Sequence, residues 1–207
     1  MTPQGQLQGN LALRAGGDLT FGGRRLNDDA IQITDFDHND ANSLGTAILN
    51  QQDPLLGLDR LAEQVRKSGI TSITGDVVVD SRLFQSYRVP NGNLLVTPMM
   101  LNENQIDVSV SPTQPASSAL TNVRPQTAFF QVLDTVKTGA PGSSESVEFS
   151  GDRRTAGVGG SGTVSGQIPS DYRAPLSGQN LLVGTFRVED PDSFCRVAFI
   201  EALQRHG

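Results

Sequence analysis

The most concentrated group of potential metal ligands is the sequence Asp-Phe-Asp-His-Asn-Asp, which begins at Asp35. Asp35, Asp37 and Asn39 match the first ligand positions of a calcium-binding loop, which uses oxygen ligands. Asp40 then occupies the position of the sharp-turn glycine, and Thr46 occupies that of the closing glutamate. We therefore predict a solvated loop that caps its own backbone, and we predict no metal-binding residues in the chain.

The sequence contains few candidate residues for a catalytic or cofactor-binding site. His38 and His206 are far apart in sequence, which gives little support to a zinc site or a Ser-His-Asp triad. Cys195 is the single cysteine and lies in an apolar stretch, so it is predicted to be a buried small hydrophobic residue. The glycine-rich residues 157–162 precede a strand pattern, which favours a flexible hairpin connection over a phosphate-binding loop. We therefore assign no catalytic and no cofactor-binding residue.

Two helices are predicted from the same Asp-Pro start, in which the aspartate caps and the proline fits the first turn. One begins at Asp53 and stops at Gly69, and the other begins at Asp190 and runs to the end of the chain. The first helix carries an apolar stripe at helical spacing, formed by Leu58, Leu61, Ala62 and Val65.

Most of the remaining regular structure is predicted as strands. Residues 75–80 follow the first helix as an apolar, β-branched run, which predicts a buried strand in an α/β unit. Apolar residues alternate with polar ones around Asp107, which predicts a half-buried strand. The fold class is therefore α+β and mostly antiparallel β. Further strand candidates are residues 9–13, 129–136, 146–149, 162–168 and 181–188.

The length, the net charge and the distribution of apolar residues exclude some classes of protein. The chain has 207 residues, which fits one or two domains, and a net charge of -6, which disfavours nucleic acid as a partner. No segment is apolar enough to span a bilayer, and the start lacks the pattern of a signal peptide. We therefore expect either a cytosolic protein or a piece of an exported one, and the abrupt start favours the piece.

Four segments in order resemble one family. They are Gly-Asn-Leu-Ala-Leu through Gly-Asp-Leu-Thr at 9–20, the Leu-Ala helix and Gly-Asp-Val-Val-Val-Asp strand at 58–84, Pro-Met-Met-Leu-Asn-Glu-Asn-Gln-Ile-Asp-Val at 98–108, and Val-Glu-Asp-Pro with its helix at 188–207. The chain is similar to the class C low-molecular-mass penicillin-binding proteins, which are serine D-Ala-D-Ala carboxypeptidases and endopeptidases. Leu19 replaces the family's usual proline, and the short residues 85–96 lack its tryptophan-bearing loop.

The resemblance implies that these segments are accessory domains inserted in a catalytic domain. Residues 1–23 and 96–207 would form an outer β-rich domain, and residues 24–95 a smaller nested α/β domain. The strand at Leu11 would then share a sheet with residues 182–188, and the two ends of the chain would be neighbours. The implied partner is the catalytic domain of the same parent protein, with peptidoglycan as a possible further one, and the implied location is the periplasm or the extracellular cell envelope.

The catalytic motifs of that family are incomplete here. A Ser-x-x-Lys pair places the amine beside the hydroxyl that it activates, but Gln64 and Asp134 stand three residues before the only lysines, Lys67 and Lys137. Ser-x-Asn is also absent, and the nearest sequence, which begins at Ser177, has one residue too many and reads as a turn. Lys-Thr-Gly occurs at 137–139 without its partners, so we expect a loop or strand end with an exposed lysine, remote from any serine that has a basic neighbour.

The leading hypothesis is therefore a non-catalytic accessory region of a peptidoglycan D-Ala-D-Ala carboxypeptidase or endopeptidase, which shapes substrate access or contacts the wall. An alternative is a free-standing wall- or carbohydrate-binding module, which needs an exposed aromatic platform drawn from Tyr87, Tyr172 and nine phenylalanines. A third is an unrelated enzyme that uses the acidic residues 35–40. The sequence leaves open the ligand, the oligomeric state and whether this acidic loop binds a cation.

Overall fold

The computed structural model describes residues 1–24, 27, 30–90, 94–152 and 160–207. Within these ranges the chain has an α+β fold with three α-helices, which are α1 (Ala41–Leu44), α2 (Leu56–Lys67) and α3 (Pro191–His206). The strands of the same ranges are β1 (Gln6–Leu7), β2 (Leu11–Arg14), β3 (Ser72–Ile73), β4 (Val77–Asp80), β5 (Tyr87–Arg88), β6 (Leu95–Val96), β7 (Gln105–Ser111), β8 (Leu120–Arg124), β9 (Gln131–Asp134), β10 (Lys137–Gly139), β11 (Glu148–Asp152), β12 (Ser161–Ser165), β13 (Gln167–Pro169) and β14 (Leu182–Arg187).

The two long helices pack against each other and against a parallel pair of strands, β2 and β4. The carboxylate of Asp190 accepts a hydrogen bond of 3.2 Å from the Ser193 N–H and so caps α3. Asp53 accepts a hydrogen bond of 2.8 Å from the Leu55 N–H in the turn before α2. Leu58 and Phe194 are fully buried members of the same apolar core. The predictions of both helices and of the α2 stripe are confirmed, but α2 begins at Leu56 without a side-chain cap, so Asp53 caps the preceding turn and not the helix. A strand is present at β4 as predicted, whereas the prediction that it is buried is wrong, because it belongs to a two-stranded sheet in which Val77 is buried and Val78 is 41% exposed.

Two three-stranded sheets form most of the β structure. One has the order β14-β7-β8 with antiparallel pairing, and the other has the order β11-β12-β9. The Phe149 and Phe186 rings meet between them with centroids 5.8 Å apart. A Cβ atom at Gly162 would approach the Phe186 ring to 2.4 Å, and one at Gly184 would approach the Phe149 ring to 2.5 Å. Each ring therefore lies directly over a glycine of a strand.

The segment of residues 30–52, here called the covering segment, lies over one side of β14 and β7. The side-chain amide of Asn42 accepts a hydrogen bond of 2.8 Å from the Thr185 N–H and donates one of 2.9 Å to the Thr185 carbonyl. Ala41, Ala47 and Val183 form a small apolar cluster beside this contact. Through these contacts an irregular segment becomes part of the packed structure around the edge strand β14.

This cover changes the environment of β7. The alternating pattern around Asp107 predicts a strand with one face in water, but the structure buries residues of both faces, and Asp107 itself is buried. The prediction of a half-buried strand is therefore wrong. The physical reason is that the covering segment, which has no apolar period, supplies polar partners for the polar face, namely His38 for Asp107 and Asn39 for Gln105.

The prediction for the strand at Leu11 is also wrong. It pairs in parallel with Val77 of β4 and does not share a sheet with residues 182–188, which pair with β7. Parallel pairing also joins β1 to β3, β10 to β13 and β12 to β9. The antiparallel pairs of the described residues are the three longest ladders and the short pair of β5 with β6. The observed pairs and the α2–α3 packing join residues of both expected domains. The division into 1–23 with 96–207 and into 24–95 stays a prediction.

The two ends of the chain lie at the same end of α2. The Met1 methyl group lies beside Gly69, and Gly207 lies beside Arg66. This proximity agrees with the expectation that the ends are neighbours. None of the helices in the described ranges is long and apolar enough to cross a membrane.

Candidate functional site

A buried histidine–carboxylate pair lies between the covering segment and β7. The Nδ1 atom of His38 is 2.7 Å from Oδ1 of Asp107, although the two residues are 69 positions apart in sequence. Their side chains are 9% and 1% exposed. The other carboxylate oxygen of Asp107 accepts a hydrogen bond of 3.2 Å from the Asn102 amide. Since the carboxylate holds Nδ1, the Nε2 atom of His38 points away from Asp107 and has no hydrogen-bond partner.

A second layer of charges lies on the Nε2 side of His38. The Arg24 guanidinium donates a hydrogen bond of 2.5 Å to Oδ2 of Asp37 and another to Oε1 of Glu103. Burial works to raise the pKa of Asp37, but hydrogen bonds from the Asn39 backbone N–H and from Arg24 outweigh it, so the pKa lies below its ordinary value. Asp37 is therefore held as a carboxylate.

Two side-chain amides extend this cluster. The Asn39 amide donates to Oδ1 of Asp37, at 2.8 Å, and also to Oε2 of Glu103. Gln105 donates in turn to the Asn39 amide oxygen. The Gln105 side-chain oxygen is buried without a hydrogen-bond partner. The cluster is thus a connected polar network with two unpartnered atoms, on His38 and on Gln105.

An unusual backbone positions Glu103 in this network. Asn102, Glu103 and Asn104 have φ values of 50°, 51° and 56°, so three successive residues adopt the left-handed conformation. Asparagine tolerates this region, whereas glutamate rarely adopts it. The Asn102 side chain holds the turn by donating a hydrogen bond of 2.9 Å to the Gln105 carbonyl, and the Asn104 side chain does so by donating one of 2.9 Å to the Leu95 carbonyl. This left-handed run therefore places the Glu103 carboxylate beside Arg24 and Asn39.

The acidic loop is only in part as the sequence predicts. Asp37 accepts a hydrogen bond of 3.0 Å from the Asn39 N–H, so the loop does cap its own backbone. Asp35 and Asp40 are exposed, and Thr46 is buried with its hydroxyl 2.8 Å from that of Ser177. These three positions therefore contribute nothing to a calcium-type shell. The expectation of a solvated loop is wrong at His38, which is buried.

The Lys-Thr-Gly sequence lies in the short strand β10. Lys137 is exposed as predicted, but its amine donates a hydrogen bond of 3.0 Å to the hydroxyl of Ser118. The prediction that Lys137 is remote from any serine with a basic neighbour is therefore wrong. The contact arises because the two residues are bridge partners on adjacent chain segments. Ser118 is also exposed, so the pair lacks the water-excluding site that a serine nucleophile and its base require.

The other candidate residues lie apart from this site. Residues 157–159 of the glycine-rich segment lie outside the described residues, whereas the strand predicted after them is present as β12. His206 is 3.2 Å from a carboxylate oxygen of Asp59 and far in sequence from His38. The turn predicted at Ser177 is present, with Gly178 at a φ of 69°. Among the residues that the structure describes, His38 is therefore the one histidine in the polar network.

Cys195 is buried in α3, and burial, with a smaller contribution from Asp192, raises the pKa of its thiol from 9.0 to about 12. We expect no reaction with a thiol reagent at pH 8 in the folded protein and one equivalent after unfolding. Because the unfolded thiol ionises near pH 9 and the folded thiol does not, this group stabilises the fold below pH 9, and the stabilisation is lost as the pH rises from 9 towards 12. Thiol titration with and without denaturant tests this. Rapid labelling of the folded chain would contradict it.

Comparison with known proteins identifies the class. The sequence profile of the D-Ala-D-Ala carboxypeptidase 3 (S13) family of peptidases matches residues 2–207. The chain belongs to this family. No curated protein sequence matches it.

Solved structures with a similar fold include penicillin-binding protein 4 (dacB) from Haemophilus influenzae, with a TM-score of 0.57 and 19% identity over 100% of this chain. The same protein in complex with a novel β-lactam has a TM-score of 0.54 and 18% identity, again over 100% of this chain. The chain spans 39% and 36% of the lengths of these two solved chains.

Proposed function

We propose that the chain is a non-catalytic accessory region of a peptidoglycan D-Ala-D-Ala carboxypeptidase or endopeptidase in the periplasm or extracellular cell envelope. One observation carries the proposal. The S13 family profile matches residues 2–207, yet neither lysine of the chain completes a Ser-x-x-Lys pair. That pair supplies the nucleophile and its neighbouring amine in penicillin-interacting enzymes. The region therefore belongs to the family without holding its nucleophile.

The arrangement of the chain ends supports an accessory role. Met1 lies beside Gly69, and Gly207 lies beside Arg66, so both ends leave from the same end of α2. A unit inserted in another domain can be accommodated when its ends are close, as domain termini often are. The partner in this proposal is the catalytic domain of the same parent protein. The accessory region would shape substrate access to that domain or contact the wall.

The wall- or carbohydrate-binding alternative has less support. It needs an exposed aromatic platform, because sugar rings pack on aromatic faces, but Tyr172 is only 7% exposed. Phe84 and Tyr87 are the exposed aromatic residues of the described ranges. Sedimentation with insoluble peptidoglycan decides between wall contact and a role confined to the cleft. A Tyr87→Ala variant tests whether any binding uses this platform.

Acylation by penicillin tests the absence of a nucleophile. We expect the purified chain to form no covalent adduct with a fluorescent penicillin and to release no D-alanine from a pentapeptide, because no Ser-x-x-Lys pair is present. Gel fluorescence and mass spectrometry measure the adduct, with an active serine D-Ala-D-Ala carboxypeptidase as the positive control. An adduct on any serine of this chain, including Ser118 beside Lys137, would overturn the proposal. A Ser118→Ala variant would then locate it.

A further inference from the structure

We propose that Asp37, His38 and Glu103 bind a divalent transition-metal ion such as Zn²⁺. One ligand atom from each of the three residues lies within 4.8 Å of the other two. The His38 Nε2 atom is 3.7 Å from Oε2 of Glu103 and 3.9 Å from Oδ1 of Asp37. Two ligand atoms at about 2.1 Å from one zinc ion are about 3.4–3.6 Å apart at tetrahedral to trigonal angles. The two distances from His38 to the carboxylates therefore need to shorten by only a few tenths of an ångström. This inference does not depend on the proposed function.

The histidine is oriented as a metal ligand. Asp107 holds Nδ1 at 2.7 Å, which fixes the ring and leaves the Nε2 lone pair directed towards the two carboxylates. A carboxylate that accepts the other ring N–H is the common outer-shell partner of a metal-bound histidine. The Nε2 atom is buried without a hydrogen-bond partner, which is unfavourable unless a ligand contacts it. A protonated Nε2 does not resolve this, since 3.7 and 3.9 Å exceed hydrogen-bond distance.

Each of the two carboxylates directs one oxygen to the side of the ion, where Asn39 now donates to it. Arg24 binds Oδ2 of Asp37 and Oε1 of Glu103, and the second oxygen of each carboxylate faces His38. Hydrogen bonding of the outer oxygen is the usual support for a ligating carboxylate. The carboxylates that face His38 are those of Asp37, Glu103 and Asp107, and they outnumber the guanidinium groups of Arg24 and Arg124 near the cluster. The site therefore has the charge to attract a cation.

Asn39 supplies a fourth ligand if its amide rotates. Its nitrogen now contacts Asp37 and Glu103, and its oxygen accepts from Gln105. Rotating the Asn39 and Gln105 amides together by about 180° directs the Asn39 oxygen at the ion. The same rotation gives the unpartnered Gln105 oxygen a donor, namely the Asn39 nitrogen, and places the Gln105 nitrogen where that oxygen was. Both rotations are about side-chain bonds, so they need no backbone movement.

The ligand set selects the kind of metal. An imidazole nitrogen with carboxylate and amide oxygens suits Zn²⁺, Mn²⁺ or Co²⁺, whereas Ca²⁺ and Mg²⁺ take oxygen ligands. The ion would join residues 37–39 to the turn before β7. Its ligands come from two segments that are far apart in sequence, so binding would hold the covering segment on the sheet.

Co²⁺ absorbance and Zn²⁺ calorimetry on the untagged, chelator-treated chain test the proposal. We expect one equivalent to bind with a dissociation constant in the micromolar range or below. His38→Gln should weaken binding at least ~100-fold, and Asp107→Asn, which alters only the outer-shell partner, should weaken it about 10- to 100-fold. Asp35→Asn and His206→Gln serve as matched controls outside the cluster and should bind as the unaltered chain does. Absence of binding at about 1 mM Zn²⁺, or unchanged binding by His38→Gln, would overturn the proposal.

Nitrogen NMR of the unaltered chain keeps the proposal testable if the His38 variant does not fold. The chain has only two histidines, so each imidazole gives a separate set of signals. Zn²⁺ should shift the Nε2 resonance of His38 and leave those of His206 unchanged. A His38 ring that is protonated on both nitrogens and unaffected by Zn²⁺ would show that an ion pair, and not a metal, occupies the cluster.

Discussion

Asp107→Ala is expected to lower the free energy of unfolding by about 2–5 kcal/mol. The carboxylate contacts His38 at 2.7 Å and accepts from Asn102 at 3.2 Å, and its side chain is 1% exposed. Its removal leaves the buried Nδ1 atom of His38 without its partner and takes one of two acceptors from the Asn102 amide, which keeps the Gln105 carbonyl. Urea unfolding followed by circular dichroism measures the change. Asp107→Asn keeps an acceptor oxygen and is expected to lose less.

Asp35→Ala is the matched control for this result. Asp35 is an exposed carboxylate on the same covering segment, and its replacement should change the free energy of unfolding by no more than about 0.5 kcal/mol. If Asp107→Ala unfolds at the same urea concentration as the unaltered chain, the buried pair with His38 does not exist in solution. The packing of the covering segment against β7 would then be contradicted as well.

Phe194→Ala is expected to lower the free energy of unfolding by about 3–5 kcal/mol, since it leaves a cavity in the centre of the core. Phe194 is fully buried on α3, and its ring centroid lies 5.4 Å from that of Phe129. The contact joins α3 to the segment that precedes β9. The same urea experiment measures the loss.

Phe84→Ala provides the comparison, because Phe84 is 37% exposed and its replacement leaves no enclosed cavity. A loss below about 1 kcal/mol is expected there. Equal losses for the two variants would contradict the placement of Phe194 at the centre of the core.

The elements that local signals define were predictable from the sequence. The two Asp-Pro signals are local, because each aspartate accepts from an amide within a few residues, in the turn before α2 and at the cap of α3. The apolar stripe of α2 is also a local signal, since it follows from the helical spacing of residues within one element. The same holds for Cys195, whose apolar neighbours in sequence predict its burial.

The candidate site was not predictable in the same way. His38 and Asp107 are 69 residues apart, and nothing in either segment indicates the other. The alternation around Asp107 indicates a strand with a polar face, but it does not tell whether water or another segment covers that face. The sequence Asn-Glu-Asn at 102–104 carries a weak signal, because asparagines favour left-handed backbone on both sides of Glu103. The parallel pairing of β2 with β4 likewise joins segments far apart in sequence, and sequence periodicity does not indicate it.

The contact between Asn42 and Thr185 has a consequence for self-association. β14 is the edge strand of its sheet, and an edge strand with free N–H and C=O groups can pair with a strand of another molecule. Asn42 occupies both backbone groups of Thr185, so its side chain stands where the backbone of an added strand would bind. The covering segment thereby protects the chain against intermolecular β pairing and strand exchange, in addition to enclosing the polar network.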